Sequence, residues 1–228
     1  MDKQEYGNTR EALPKSMNSR TGGFFIYCIV GQKGSGKSTV LLNLLNTYFK
    51  KYYDNIYYVS TTGQKDPKFK ALIDELDEDG KYYNNFTEDV MSQIMEQLEQ
   101  NIEDGEFRNL VIFDDCVAKF PLATDKSSVF NSYIIGSRHY KADIIITSQK
   151  FNKLNSIIRC NTDIFSIFPS NNKYERQCMI KELNVDEDRL IKYIDEISDD
   201  KHNFLTISFI SNKSAKPKYY KIFDEIIE

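Results

Sequence analysis

The feature that most constrains the fold is a glycine-rich segment placed directly after an apolar run. The apolar run "FFIYCIV" covers residues 24–30, and "GQKGSGKST" covers residues 31–39. The second segment matches G-x-x-x-x-G-K-[ST], the phosphate-binding loop or P-loop, which follows a strand and opens a helix. The apolar run predicts a buried strand, and "STVLLNLLNTYF" predicts the helix. The sequence therefore predicts a nucleotide site at a strand–helix junction rather than an ordinary glycine-rich turn.

The residue types of the loop suit a triphosphate and its metal ion. Glycine at Gly31, Gly34 and Gly36 allows positive φ and turns backbone N–H groups toward an anion. The helix that starts near Lys37 adds the positive end of its dipole. We predict that Lys37 reaches the β- and γ-phosphates and that the Ser38 hydroxyl ligates Mg²⁺, so the expected cofactors are ATP and Mg²⁺.

Three other residues complete the predicted nucleotide-binding set. Thr39 follows on the helix, and we expect it beside the α-phosphate. Ser35 belongs to the set as a member of the loop. Lys33 is either a phosphate contact or a solvated loop lysine, and the sequence leaves both open.

Chain length and charge limit the range of architectures. A chain of 228 residues suits one α/β domain, and we predict an N-terminal arm over residues 1–21 and a single ATPase domain over residues 22–228. The arm is polar and is expected to be mobile or to form an edge element. A net charge of −4 provides no global basic field for nucleic acid. A ring-shaped motor nevertheless needs lysines only on the loops that line its channel.

Cysteine spacing and apolar runs bear on the compartment. The four cysteines are widely spaced, which argues against structural zinc and favours a reducing compartment. The apolar runs are too short to span a bilayer, so no intrinsic membrane segment is predicted.

Strand and helix patterns alternate along the chain. Five runs predict strands: "FFIYCIV", "NIYYVST", "NLVIFDD", "ADIIITSQ" and "DIFSIF". Apolar residues four apart predict one helix face against a sheet, at Val90, Ile94, Leu98 and Ile102. Another helix is expected to end near Gly136. The alternation predicts a mainly parallel sheet flanked by helices, and "NFLTISFI" with "KPKYYKIF" predicts a C-terminal antiparallel hairpin.

Two adjacent carboxylates end the apolar run of "NLVIFDDC". Ligands of open α/β sheets bind at the carboxyl ends of the strands, so these side chains are expected near the P-loop. We predict that Asp114 holds Mg²⁺ through its water shell and that Asp115 accepts a proton from the water attacking the γ-phosphate. Two solvated turn aspartates are the alternative.

The segment "SRHYKADIIITSQK" supplies two more candidates. Gln149 ends a predicted strand, where an amide can hydrogen-bond the γ-phosphate and the attacking water, or can simply cap the strand. Arg138 precedes that strand at a helix end. It is either an arginine finger acting in trans on a neighbouring subunit or a surface arginine at a helix C-terminus, and the sequence favours neither. Asp115, Gln149, Arg138 and Lys37 form the predicted catalytic set.

Taken together, these segments give the chain a family resemblance. It resembles the FtsK–HerA superfamily of P-loop motors, and within it the genome-packaging ATPases of poxviruses and other large nucleocytoplasmic DNA viruses. The resemblance covers residues 24–168 and is carried by "GQKGSGKST", "VIFDDC", "SRHYKADIIITSQ" and "IIRCNTDIF". The Arg-His pair before a strand ending in Ser-Gln is its more specific mark.

The resemblance implies both a fold and a function. The implied fold is an α/β P-loop NTPase of the RecA/FtsK–HerA type, with an additional-strand catalytic-glutamate core. The implied function is ATP-driven movement of double-stranded DNA into a capsid by a homo-oligomeric ring, a pentamer or hexamer. It favours Arg138 as the trans finger, with Arg159 as the second candidate. The wider superfamily usually has glutamate where this chain has Asp115, and the viral branch tolerates aspartate at this position.

The resemblance also implies partners and a location. Capsid or portal proteins are expected partners, and the expected location is the host cell cytoplasm at the virus assembly site, with the virion as a second location. Loops that follow the central strands would line the channel, and each of their lysines is either a DNA-phosphate contact or a solvated side chain. These lysines are Lys119, Lys126, Lys150 and Lys153, with Lys213, Lys216 and Lys218 near the hairpin tip.

Two other functional classes compete with the packaging motor. A hexameric DNA helicase or another ring ATPase shares the same motifs, and the sequence does not separate it from a packaging motor. A GTP switch needs an N-K-x-D segment, which "NKLN" and "NKSA" do not supply, and a small-molecule kinase usually has an arginine-rich lid. These last two classes fit less well.

Overall fold

The computed structural model describes residues 13–17, 23–170, 172–183, 185–210 and 216–226. In this part of the chain, a nine-stranded sheet has the order β3-β2-β4-β5-β1-β6-β7-β8-β9. The strands are β1 Ile26–Val30, β2 Asn55–Ser60, β3 Tyr82–Tyr83, β4 Asn109–Asp114, β5 Ala142–Ser148, β6 Ile164–Ile167, β7 Leu205–Ser208, β8 Lys218–Lys221 and β9 Asp224–Glu225.

Helices connect most of these strands. They are α1 Lys37–Leu44, α2 Lys70–Glu78, α3 Glu88–Glu103, α4 Val129–Gly136, α5 Ser156–Asn161, α6 Lys173–Leu183 and α7 Glu187–Ile197. Helix α1 continues through a π-helical stretch, Leu45–Phe49, into a final turn, Lys50–Tyr52. None of the helices in the described ranges is long and apolar enough to cross a membrane.

The pairing of the strands matches the predicted mixed sheet. Strands β1 to β6 pair in parallel with their neighbours, whereas β6–β7, β7–β8 and β8–β9 are antiparallel. All five strands predicted from the sequence are present, and β7 with β8 confirms the predicted hairpin. The hairpin tip, residues 211–215, lies outside the described residues, and Lys213 with it.

Apolar side chains of the central strands are buried on both faces of the sheet. On β5, Ile144 and Ile146 join the core beneath α3 to α7, while Ile145 joins the core beneath α1 and α2. Each face of the sheet has its own core, because successive side chains of a strand point to opposite faces. With β4 and β5 covered on both faces, their carboxyl ends hold the polar residues that follow them in fixed positions.

Part of the predicted N-terminal arm packs against the domain. Leu13 and Met17 are buried in the core on the α1 face, and Ser208 on β7 donates a hydrogen bond to the Ser16 carbonyl at 2.8 Å. Of the two expectations, a mobile arm or an edge element, the first does not hold for residues 13–17, because two of their apolar side chains are buried in this core. Residues 1–12 and 18–22 lie outside the described residues, and the division at residue 22 stays a prediction.

The spacing of apolar residues in helix α3 predicted part of the face that the helix buries. Ile94 and Leu98 are fully buried as expected, but Met91 is the third fully buried side chain, while Val90 and Ile102 are half-buried. The buried stripe therefore follows i, i+3 and i+7, which matches 3.6 residues per turn better than a strict spacing of four.

Replacing Leu98 with alanine tests this packing. The variant should lose about 2–5 kcal/mol of unfolding free energy, because the truncated side chain leaves a cavity that neighbours only partly fill. Equilibrium urea denaturation measures the loss. Glu96→Ala, on the exposed side of the same helix, is the control and should stay within about 0.5 kcal/mol of the wild type. A Leu98→Ala variant as stable as the control would contradict the placement of α3.

Candidate active site

The P-loop lies at the carboxyl end of β1 and is tied to β5. The Gly31 N–H donates to the Ser148 carbonyl at 3.0 Å, which extends the pairing of the two strands into the loop. Gly34 and Gly36 have φ of 79° and 111°, in the left-handed region where glycine is favoured. Helix α1 then begins at Lys37, as predicted.

Gly31 is required for a reason other than the predicted one. It is not among the described residues with positive φ; instead, a Cβ there would lie 2.6 Å from Ser35 Oγ and 2.8 Å from Phe168 Cβ. The expectation of positive φ at this position is therefore wrong. Close approach of Phe168 and Ser35 excludes a side chain, and Phe168 was not anticipated because it follows β6, far along the chain.

The Lys37 side chain folds back over the loop. Its Nζ donates to the carbonyls of Gly31 at 2.5 Å and Gln32 at 3.0 Å. Partial burial lowers the pKa of Lys37, while the negative charges of Asp115 and Asp114 act in the opposite direction. The ammonium group is thus held on the loop, close enough to both carboxylates for their charges to act on it.

Asp114 is buried and hydrogen-bonded on both oxygens. It is 6% exposed; Oδ1 accepts from Thr147 Oγ1 at 2.6 Å and Oδ2 from Tyr58 Oη at 2.9 Å. Burial raises the pKa of Asp114, and the hydrogen bonds from Thr147 and Tyr58 partly offset this rise. Each carboxylate oxygen keeps further acceptor capacity, so a hydrated cation can still be bound.

Asp115 and Gln149 form a pair beside Asp114. Gln149 Nε2 donates to Asp115 Oδ1 at 3.0 Å, and the Asp115 N–H donates to Thr147 Oγ1 at 3.0 Å. Asp115 has φ of 55°, a left-handed conformation uncommon outside glycine. This bend turns the chain immediately after β4, and the two adjacent carboxylates have different partners.

The residues present fit a magnesium triphosphate. Ser35 Oγ is buried without a hydrogen-bond partner among the described residues, and it lies inside the loop against Gly31. Two glycines with positive φ orient the loop, and Lys37 lies over it. Mg²⁺ prefers oxygen ligands and keeps several waters, and the Ser38 hydroxyl with the Asp114 carboxylate is a donor set of that chemistry.

Besides Phe168, sequence reasoning missed three polar side chains of this site. Thr147 and Tyr58 hold Asp114 from the neighbouring strands, and His202 Nδ1 lies 3.1 Å from the Ser35 carbonyl. Thr147 had a usable signal, since it directly precedes the Ser-Gln pair at the end of a predicted strand. Tyr58 and His202 had none, because their roles depend on strand order and on the return of the C-terminal segment.

The two predicted finger arginines lie in different environments. Arg138 is exposed on a turn, Ser137–Tyr140, before β5, so the length of β5 separates it from its own P-loop. A strand of this kind rises about 3.3 Å per residue, which places the two ends about 20 Å apart. Arg159 on α5 pairs with Glu182 and the Leu154 carbonyl, and its side chain is 16% exposed. Arg159 would have to break these contacts to act in trans.

Most of the candidate DNA-contacting lysines are on the surface. Lys126, Lys150 and Lys153 are exposed on the loops after β4 and β5. Lys119 donates to the Asn85 side chain. On the hairpin, Lys216 and Lys218 are exposed. The loop lysines therefore lie at the same edge of the sheet as the P-loop.

Comparison with known proteins identifies both fold and family. A model of the family described as poxvirus A32 protein matches residues 16–223. No curated protein matches the chain.

Several solved structures have the same fold, among them complexes with nucleotides or their analogues. The genome packaging NTPase B204 from Sulfolobus turreted icosahedral virus 2, in complex with ATP-gammaS, is 15% identical, with a TM-score of 0.62 over 88% of this chain and 98% of that one. Its AMP complex is 14% identical, with a TM-score of 0.65 over 90% and 98%. The conjugation coupling protein TcpA of pCW3 is 15% identical, with a TM-score of 0.55 over 90% and 60%. These likenesses confirm the predicted α/β P-loop fold.

Thr147→Val tests the hydrogen bonds at the end of β4. Loss of the hydroxyl removes a donor from Asp114 and an acceptor from the Asp115 N–H, so the unfolding free energy should fall by about 1–3 kcal/mol. ATP turnover should fall about tenfold, since both carboxylates lose their fixed positions. Phosphate release and urea denaturation measure the two effects. Thr147→Ser keeps the hydroxyl and should stay close to the wild type; equal losses in both variants would contradict this role.

Proposed function

Because the chain belongs to the poxvirus A32 protein family, we propose that it is the ATP-hydrolysing subunit of a motor that packages viral DNA. It hydrolyses ATP and uses the cycle to move double-stranded DNA into a capsid. One observation carries the proposal: the P-loop lysine, a buried aspartate and a carboxylate–amide pair lie at the carboxyl ends of three adjacent strands, β1, β5 and β4. This is the set of groups that phosphoryl transfer to water requires.

The P-loop and Asp114 bind the nucleotide and its metal. Lys37 moves from its loop carbonyls to the β- and γ-phosphates, which offer charge where the carbonyls offer only dipoles. Ser38 and Asp114 hold Mg²⁺, which neutralises charge on the phosphate oxygens when bound. The backbone of Gly34, Ser35 and Gly36 contributes N–H groups, with Thr39 near the α-phosphate and Lys33 as an outer contact.

Asp115 and Gln149 act on the attacking water. Gln149 occupies Asp115 Oδ1, which leaves Oδ2 to accept the proton of a water aligned with the γ-phosphate. The Gln149 carbonyl oxygen can accept a second hydrogen bond from the same water. Aspartate is shorter than glutamate by one methylene, and the bent backbone at Asp115 changes where its carboxylate lies.

Arg138 completes the site of a neighbouring copy in a homo-oligomeric ring. It is exposed and lies at the edge of the sheet opposite its own P-loop, so it can reach a nucleotide only across a subunit interface. A guanidinium that arrives from a neighbour stabilises charge on the transferring phosphoryl group and links hydrolysis to assembly. Five or six subunits form the ring.

DNA is held through its phosphates by the loops after β4 and β5. Lysines on these loops lie at the nucleotide edge and make contacts without base specificity, as transport of any sequence requires. The motor acts in the infected cell during virion assembly. We place it in the host cytoplasm at the assembly site, and in the virion, with capsid or portal proteins as its partners.

Lys37→Ala tests the nucleotide site. The variant should lose ATP turnover by at least about a hundredfold, because the ammonium group that neutralises the phosphates is gone. Steady-state phosphate release with long duplex DNA measures the loss. Lys51→Ala, an exposed lysine beyond α1, is the matched control and should keep the wild-type rate. Turnover by Lys37→Ala at the control's rate would refute the site.

Arg138→Ala tests the trans finger. The variant should bind ATP with unchanged affinity and lose about a thousandfold in hydrolysis, as finger removal does elsewhere. Mixing it with Lys37→Ala subunits should restore part of the activity, because some interfaces then combine an intact loop with an intact arginine.

The control for that mixture is the double variant Lys37→Ala/Arg138→Ala. Mixed with Arg138→Ala subunits, it offers no interface with both groups, so no activity should return. Wild-type hydrolysis by Arg138→Ala alone, under conditions where the wild type assembles, would show that this arginine is not the finger.

A further inference from the structure

A buried carboxylate on α6 contacts the turn that carries Gln149. Glu175 is 4% exposed, and its Oε2 accepts the backbone N–H of Phe151 at 3.0 Å. The Asn172 side chain accepts the N–H groups of Tyr174 at 3.0 Å and Glu175 at 3.3 Å, which fixes the first turn of α6. Glu175 therefore lies in a first helical turn whose backbone N–H groups are capped.

The turn between β5 and Phe151 is held at both ends by carboxylates. Asp115 accepts from the Gln149 side chain at 3.0 Å, and Glu175 accepts from the Phe151 backbone. Between them, Ser148 Oγ donates to the Lys150 carbonyl at 2.8 Å and closes the turn. Loss of the Glu175 contact would leave the Gln149 amide attached on one side only.

The second oxygen of Glu175 indicates that packing alone does not explain the residue. Oε1 is buried and has no hydrogen-bond partner among the described residues. Glu175 lines a cavity of about 20 Å³ together with Gly31, Gln32, Gln149 and Lys150. A cavity of that size holds one water molecule, and a water there can donate a hydrogen bond to the buried Oε1.

We propose that Glu175 is a positioning residue for ATP hydrolysis. It holds Gln149 in place by fixing the turn through the Phe151 N–H, beside the cavity that both residues line. The inference rests on the proposed function, since it assigns Glu175 to the same reaction. Lys150 and Lys153 lie on the same turn and the loop that follows, so a force on this loop from DNA reaches Gln149 through a segment that Glu175 anchors.

Glu175→Leu and Glu175→Gln separate positioning from packing. Leucine is similar in size but accepts no hydrogen bond, so kcat should fall about tenfold from displacement of Gln149, with KM for ATP within about twofold of wild type. Glutamine keeps an oxygen that accepts the Phe151 N–H, so its kcat should stay within about twofold of the wild type. Urea denaturation of both variants checks that they are folded. If the Glu175→Leu variant kept the wild-type kcat, or if it changed only KM for ATP, the proposal would be overturned.

A double-mutant cycle with Gln149→Ala gives the decisive measurement. If Glu175 acts through Gln149, then Glu175→Leu should change kcat by less than about twofold once Gln149 is alanine. Additive losses in the double variant would overturn the inference while leaving the proposed function intact. A wild-type protein that hydrolyses no ATP with duplex DNA present would refute the proposed function, and the inference with it.

Discussion

The candidate site depends on one buried carboxylate held from both sides. Asp114 ends β4, and its oxygens accept hydrogen bonds from Tyr58 on β2 and Thr147 on β5. A buried charge is costly unless it is hydrogen-bonded, so these two strands must keep their register for the carboxylate to be tolerated. The same register brings Asp115 and Gln149 within 3.0 Å. A one-residue shift in the register of β5 would turn the Thr147 side chain to the other face of the sheet, and Asp114 and Asp115 would lose their hydrogen bonds to it.

What the sequence could predict was local in the chain. The P-loop, its flanking strand and helix, and the aspartates after β4 all follow from patterns within about a dozen residues, and the alternation of strands and helices then placed them at one edge. Even there, the reason for a residue could be misjudged. Gly31 has no room for a side chain because Phe168, which follows β6, packs against it, and no local sequence pattern reveals that contact. At Leu13 and Met17 the composition was misleading, since these two core residues lie in a stretch that its polar residues predicted to be an arm.

What the sequence could not predict was contact between distant segments. Tyr58, Thr147 and Glu175 each act by hydrogen-bonding a residue at least 24 positions away. Their side chains are ordinary for their elements: a tyrosine and a threonine suit strands, and a glutamate suits the first turn of a helix. Only the folded arrangement distinguishes Tyr58 and Glu175 from surface or core residues of the same type, whereas Thr147 could have been noticed from its place before the Ser-Gln pair. Positioning residues are thus less visible in a sequence than the groups they position.

The two ends of β5 divide the proposed work between subunits. Its carboxyl end carries Gln149 beside the nucleotide, and Arg138 precedes its amino end, about 20 Å away for a strand of this length. A contact between these two different surfaces is heterologous, and repeated in identical copies it closes into a ring when the rotation allows. The loops after β4 and β5 leave the nucleotide edge and carry the exposed lysines. Hydrolysis and DNA contact would therefore share one edge of the sheet, joined by the turn that Glu175 anchors.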